Sequence, residues 1–286
     1  MRKTIGFLPL FFLLAHPAYA FTLSDFEAPE SIVADPKNGA YFVSNVNGSP
    51  GDKDGNGYIS KINANGNIVI QKFIGGKKNG VFLHAPKGLV VVGENLFVAD
   101  IDVVKAFNKE SGKPAMTVDF SHFRVKFLNG ITADEKGRIY VSDLVTNQIF
   151  RIDTKKNYEL TLYKEGKELG SPNGLAINPK SKHLVLVGWE SGQIAEIDAH
   201  GNLHVLKRGF SRLDGIDYDD QGNLYVSDFE RGEIYKIPNY GRGDTTTFLS
   251  GLTTPADISC DRKREEILIP SLKGNTITTV SFRKRP

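Results

Sequence analysis

Residues 127–153 read FLNGITADEKGRIYVSDLVTNQIFRID. From Arg138 to Asp143 the side chains alternate and are rich in Ile, Tyr and Val, the period-2 signature of a strand. A polar turn at Thr146-Asn147 leads into Gln148 to Asp153, a second strand by the same criteria. YELTLYK (158–164) supplies a third, and the preceding GITAD a fourth. Four short antiparallel strands therefore occupy a segment of about 42 residues, which is the make-up of one β-propeller blade.

The unit recurs six times. Its openings read PESIVAD, PKGLVVV, LNGITAD, PNGLAIN, LDGIDYD and PADISCD. The equivalent residues are Glu30, Lys87, Asn129, Asn173, Asp214 and Ala256, separated by 57, 42, 44, 41 and 42 positions. The second strands YFVSN, LFVAD, IYVSD, LVLVG, LYVSD and ILIPS end 13 to 15 residues later, at Asn45, Asp100, Asp143, Gly188, Asp228 and Ser271. A four-stranded sheet apolar on both faces cannot bury them alone, whereas six stacked around an axis can. The expected fold is all-β, a six-bladed β-propeller with four antiparallel strands per blade. After TITTVSF (276–282) too few residues remain for the sixth blade's outer strand. FTLSDF (21–26) is a spare strand, expected to pair with 276–282 and close the ring without an open edge.

Composition narrows the chemistry. The 286 residues contain 29 Gly and 13 Pro, spread as turn formers between strands rather than excluded from long helices. A single cysteine, Cys260, rules out an intrachain disulfide or a Cys-based zinc site. The formal charge of +3 argues against nucleic acid as a partner. At the N-terminus, Arg2 and Lys3 precede an apolar run from Ile5 to Ala15, and Ala18-Tyr19-Ala20 has small residues where a signal peptidase reads. Residues 1–20 are expected to be a signal peptide and 21–286 the propeller domain. The run is short for a bilayer span of ~20 residues. A periplasmic or secreted protein with no membrane insertion after cleavage is expected. Its near-neutral chain would carry 34 basic against 33 acidic side chains.

The repeated polar residue opens the innermost strand, so six blades send six residues toward one point. Glu30, Asn129, Asn173 and Asp214 are oxygen donors, two of them carboxylates. Carboxylate and amide oxygens suit a hard divalent cation such as Ca²⁺ or Mg²⁺, and two negative charges balance one such ion. Without an ion, two buried like charges are costly. The Gly that follows several of these residues is read as serving a tight turn.

With these motifs in hand, the chain resembles the senescence marker protein/gluconolactonase (regucalcin-like) family of six-bladed propellers, over all six repeats. In that family a Glu opening the first repeat, an Asn in the third, an Asn in the fourth and an Asp in the fifth hold a metal. Glu30 in PESIVADP, Asn129 in FLNGITADEKGR, Asn173 in SPNGLAINP and Asp214 in RLDGIDYD match in identity and order. The resemblance implies a lactonase using a divalent metal (Ca²⁺ first, with Mg²⁺, Mn²⁺ or Zn²⁺ as alternatives). Asp214 would be both ligand and general base. Three features depart from the family. Phe127 stands where its sugar lactonases carry a substrate-binding Arg, Asn129-Gly130 replaces N-D-G, and NVNGSPGDKDGNG (45–57) replaces a short turn. PNGLAIN and GNLYVSD also resemble NHL repeats, which serve as binding platforms.

Within the insertion, Asp52, Asp54 and Asn56 match the first half of an EF-hand calcium loop. Asn63 stands where the twelfth-position acid belongs, so the alternative is a polar hairpin turn. The insertion, beside Asn45, is placed to cover the channel mouth as a lid. Lys87 either pairs with a substrate anion or neutralises Glu30, and Arg212 is a candidate for the missing Arg's role. His84 and His122 lie in loops, Trp189 is assigned to packing, Asp100, Asp143 and Asp228 to turn caps, and Cys260 to the buried interior. Two functions follow: a metal-dependent hydrolase of a small lactone or ester, or a non-catalytic propeller binding a small ligand or a protein at its channel face. The residues do not specify an oligomeric state.

Overall fold

A computed structural model describes residues 19–63, 65–77 and 80–283. The expected leader lies outside the described residues except for the backbone of Tyr19 and Ala20. Six four-stranded antiparallel sheets form six blades. Their inner strands are Pro29–Ala34, Pro86–Val92, Leu128–Ala133, Pro172–Ile177, Leu213–Tyr218 and Ser259–Asp261. Among the described residues the only α-helix is the short Pro238–Gly241, and none there is long and apolar enough to cross a membrane.

The sixth blade takes its outer strand from the N-terminus, as expected. Tyr19–Leu23 pairs antiparallel with Thr276–Ser281, with Phe21 opposite Thr279 and Leu23 opposite Ile277. The strand stops earlier than FTLSDF suggested. Asp25 adopts φ 73°, which turns the chain out of the sheet, and Phe26 packs instead into the interface between blades six and one.

Both faces of each sheet are buried, as the alternating strands require. Each of the six blade-to-blade interfaces has its own apolar cluster. Phe42, Ile59, Leu96 and Val98 join blades one and two, and Phe97, Val104, Ile139 and Phe150 join two and three. Leu175, Leu186 and Ile149 join three and four. Val185, Val187, Val226 and Leu224 join four and five. Tyr225, Ile234, Ile267 and Cys260 join five and six. Tyr41, Val43, Leu268 and Ile277 join six and one. Cys260 is buried and free, as expected, and lies within the strand Ser259–Asp261.

Serine at the second-strand ends ties the inner strands together. Ser142 Oγ accepts from Gly130 N–H at 2.9 Å within its blade and donates to Asn173 C=O of the next blade at 2.7 Å. Ser227 repeats the arrangement, accepting from Gly215 N–H at 2.7 Å and donating to Ala256 C=O at 2.8 Å. The neighbouring Asp serves the loops. Asp143 accepts from the N–H groups of Lys126, Phe127, Val145 and Thr146. Asp228 accepts from Ser211 and Arg231. The Asp100 carboxylate accepts from the His84 and Ala85 N–H groups and from Lys105 Nζ, while only its backbone C=O accepts from the turn that follows. These aspartates therefore fix the approach to each inner strand as well as capping turns.

Candidate metal and substrate site on the propeller axis

Five of the six axial residues, all but Ala256, sit in a β-bulge. Between inner and second strand the register jumps from Leu128↔Asp143 to Ile131↔Val141, and the same break occurs at Pro29/Ile32, Pro86/Leu89, Pro172/Leu175 and Leu213/Ile216. A bulge bends the strand and re-aims a side chain, so five blades turn the first residue within the break toward the axis. The glycine that follows is required for space, which corrects the tight-turn reading. Gly88, Gly130, Gly174 and Gly215 lack the left-handed φ of the turn glycines. A Cβ on Gly130 would lie 2.2 Å from Asn173 O, one on Gly174 2.3 Å from Asp214 O, and one on Gly215 2.2 Å from Ile258 N. The inner strands converge so closely at the axis that each glycine abuts the backbone of the next blade.

Two positions in this ring of glycines depart from the pattern, and they face each other. Ser31 and Asp257 form a parallel bridge where blades one and six meet. Ser31 Oγ donates to Asp257 Oδ2 at 2.7 Å, and Asp257 N–H donates to Glu30 C=O at 2.9 Å. Asp257 is thus a third axial carboxylate, which aligning the repeats on Ala256 missed. The legible signal was in the next column: Ser31, Gly88, Gly130, Gly174, Gly215, Asp257.

The four predicted donors come together. Glu30, Asn129, Asn173 and Asp214, with Lys87, line one cavity of ≈ 350 Å³. All five are buried. Asn173 Nδ2 donates to Asp214 Oδ1 at 3.1 Å. Glu30 Oε2 is buried with no hydrogen-bond partner. Burial, then the Asp214 and Asp257 charges, push the Glu30 carboxyl well above its usual range against the pull of Lys87. Burial and then Asp257 raise Asp214, opposed by the Asn173 hydrogen bond. Asp257 is pushed up to about 7, chiefly by burial. Burial brings Lys87 down to about 8, although Glu30 and Asp100 favour its charge. Its ammonium donates to Pro50 C=O at 2.8 Å and Ala85 C=O at 2.9 Å, and lies 4.3 Å from the Phe127 ring centroid.

Among the described residues no group of three or more His, Cys, Asp or Glu side chains is gathered so as to hold a metal. The axial set reaches four oxygen donors only by including two amides. Its chemistry nonetheless fits a hard cation: the orphaned Glu30 oxygen and the amide-oriented Asp214 carboxylate face one buried space.

Above this polar floor is an apolar collar that motif reading did not pick out. In every blade the residue just after the second strand is apolar: Val46, Ile101, Leu144, Trp189, Phe229 and Leu272. All but Ile101 line the cavity. Ile101 is instead buried with Val46 and Ala85. The backbone fixes the collar. Leu144 N–H donates to Phe127 C=O, Trp189 to Ser171, Phe229 to Arg212 and Leu272 to Thr254. Trp189, assigned to packing, is in the wall, its ring 5.2 Å from that of Phe229. Phe127 also lines the cavity, at the position where the family's sugar lactonases carry Arg.

Arg212 is not among the lining residues. Its guanidinium stacks on Trp189 at 5.3 Å and lies 4.0 Å from Glu190 and 3.9 Å from Glu230. The insertion does reach the mouth, where Pro50 lines the cavity and receives Lys87. Within it, Asp54 accepts hydrogen bonds from the backbone and side-chain N–H groups of Asn56, Lys53 pairs with Asp102, and Asp52 is exposed. His84 Nδ1 accepts from Gly55 N–H at 3.1 Å, anchoring the insertion, whereas His122 is exposed on a short 3₁₀ turn.

No family model matches the chain. A gluconolactonase from Zymomonas mobilis subsp. mobilis is 26% identical, over 51% of this chain and 47% of its own length. The chain thus spans about half the length of that curated relative. Among solved structures, a catalytically inactive virginiamycin B lyase from Staphylococcus aureus with quinupristin superposes with a TM-score of 0.65 at 16% identity. That match covers 93% of this chain and 86% of the lyase. A protein of unknown function from Bacteroides thetaiotaomicron superposes with a TM-score of 0.68 at 16% identity, covering 93% and 73%. The chain is a six-bladed propeller similar in sequence to a gluconolactonase and in fold to the virginiamycin B lyases.

Proposed function

We propose that this protein is a lactonase-like hydrolase whose reaction centre is the axial cluster, with Glu30, Asn129, Asn173 and Asp214 holding a divalent cation. The buried, unpartnered Glu30 oxygen carries this reading. A carboxylate placed near two others, with Lys87 as the compensating cation, is expensive unless its charge is used. A divalent ion bound there would supply Lewis-acid polarisation of an ester carbonyl. Asp214 takes the proton from the attacking water, with Asn173 holding one of its oxygens so that the other faces the cavity. Lys87 keeps the Pro50 segment over the mouth, which limits water entry. Similarity to a gluconolactonase supports the reaction class.

The test is metal content of the purified protein, followed by a lactone panel with added Ca²⁺, Mg²⁺, Mn²⁺ or Zn²⁺. Turnover abolished by chelator and by Asp214→Ala is expected. Absence of bound metal together with absence of turnover on every lactone would sink the proposal. Location outside the cytoplasm belongs to the same proposal. Cleavage after Ala20 would leave Phe21–Leu23, including both side chains that pack beside Ile32 and Tyr41. N-terminal sequencing of the exported protein should begin at Phe21.

A further inference from the structure

The collar has a consequence for substrate choice. The polar groups of the cavity converge on its floor, while its walls are Val46, Phe127, Leu144, Trp189, Phe229 and Leu272. We infer that the substrate is a lactone or ester carrying an apolar alkyl or aryl group, and not a polyhydroxylated sugar lactone; this rests on the hydrolase reading above. A sugar lactone presents a hydroxyl on nearly every ring carbon. Against these walls each buried hydroxyl gives up its water without a partner, at a cost of about tenfold or more in affinity. An apolar substituent gains about the same per methylene or two.

The cationic groups at hand do not reverse this balance. Lys87 is committed to Pro50 C=O, Ala85 C=O and the Phe127 face. Arg212 lies against Trp189 between two glutamates and does not line the cavity. Lys273 lines the cavity but is exposed at its rim. A cavity of ≈ 350 Å³ suits a small molecule held at one polar end and surrounded by apolar side chains elsewhere. Trp189 and Phe229 come from adjacent blades and are fixed through backbone bonds to the loops beneath them. The wall is therefore preformed rather than assembled around the ligand.

Trp189 is the only tryptophan of the chain, so its emission reports on cavity occupancy independently of turnover. The probes are δ-decalactone and glucono-1,5-lactone. Binding is read by Trp189 fluorescence in chelator, and hydrolysis by pH-stat with added divalent metal. Saturable perturbation of Trp189 by δ-decalactone, with kcat/KM at least ~10-fold above that for glucono-1,5-lactone, is expected. Phe229→Ala should lower kcat/KM for δ-decalactone by about tenfold, mainly through KM, and that for glucono-1,5-lactone by a much smaller factor. Phe229→Leu, which keeps an apolar wall, should retain most of the preference. Equal or faster hydrolysis of glucono-1,5-lactone would overturn the substrate inference and leave the hydrolase reading standing. A saturable Trp189 response without hydrolysis of any lactone would overturn the hydrolase reading, and the substrate assignment with it.

Discussion

Glu30→Gln separates a metal-binding cluster from a merely structural one. Glutamine keeps the volume and the backbone, including the Glu30 C=O that receives Asp257 N–H, and removes one negative charge. In the metal-free protein that charge is opposed first by burial and then by Asp214 and Asp257, with Lys87 the smaller, favourable influence. Glu30→Gln should therefore leave the metal-free protein as stable as wild type, or more stable, at pH 8. The wild type's own pH dependence has a definite sign. A carboxyl whose folded pKa is raised holds its proton more tightly when folded. The contribution of Asp257 is thus fully present below about pH 4 and is lost as pH rises through about 7. Metal should reverse the order of the two proteins. At a concentration near 100 times its Kd, an ion adds about 2.7 kcal/mol, or roughly 5–10 °C in Tm for a chain of this size. Differential scanning fluorimetry of both proteins, with chelator and with each divalent ion, is the assay. Wild type should shift by that amount and Glu30→Gln by less than a third of it. Destabilisation of the metal-free variant by more than ~2 kcal/mol, with equal metal response in both proteins, would refute the reasoning.

The spacing argument for the axial glycines predicts that Gly174→Ala, whose Cβ would meet Asp214 O at 2.3 Å, costs on the order of 1–3 kcal/mol or more. Gly51→Ala, with nothing within 4 Å of the new Cβ, should stay within about 0.5 kcal/mol of wild type in urea titrations. Ser142→Ala leaves Gly130 N–H and Asn173 C=O without their shared partner, so a loss of ~2–4 kcal/mol is expected from the same measurement. Asp257→Asn removes a charge that raises both Glu30 and Asp214. The acidic limb of the kcat/KM profile should move to lower pH, on the order of one unit. An unmoved limb would mean that Asp257 has no electrostatic hold on the base.

The blades were legible because each strand's alternation is local and the repeat carries it six times. Glu30, Asn129, Asn173 and Asp214 were legible for the same reason: a fixed register puts them at one point. The reason for the glycines beside them was not. Gly130 is flanked by nothing that demands a small residue. The demand comes from Asn173 O, 43 positions away on the neighbouring blade. Asp257 was hidden because the sixth blade carries its carboxylate one position later than the fifth. Arg212 looked like a substrate group because it lies two residues before Asp214. Glu190 and Glu230, on flanking loops, draw its guanidinium out over Trp189. The collar was in plain view as an apolar residue after each second strand, but it has no motif beyond its recurrence.

The position of Glu30 ties the site to the closure of the ring. Four of the inter-blade approaches at the axis are glycine against the backbone of the next blade, a close contact with no side chain between. At the junction of blades six and one this contact is replaced by polar ones: Ser31 to Asp257, and Asp257 N–H to Glu30 C=O. The same junction is held further out by Tyr41 Oη donating to Asp261 at 2.9 Å and by the N-terminal strand on Thr276–Ser281. It is the one interface whose two sheets are joined by residues from opposite ends of the chain. Glu30 and Asp257 stand on either side of it, so their carboxylates come together only when the ring is closed. Like charges across that seam weaken it, and a cation between Glu30 and Asp214 would relieve the strain. Ion binding and ring closure are therefore thermodynamically linked: whatever favours one favours the other by the same free energy.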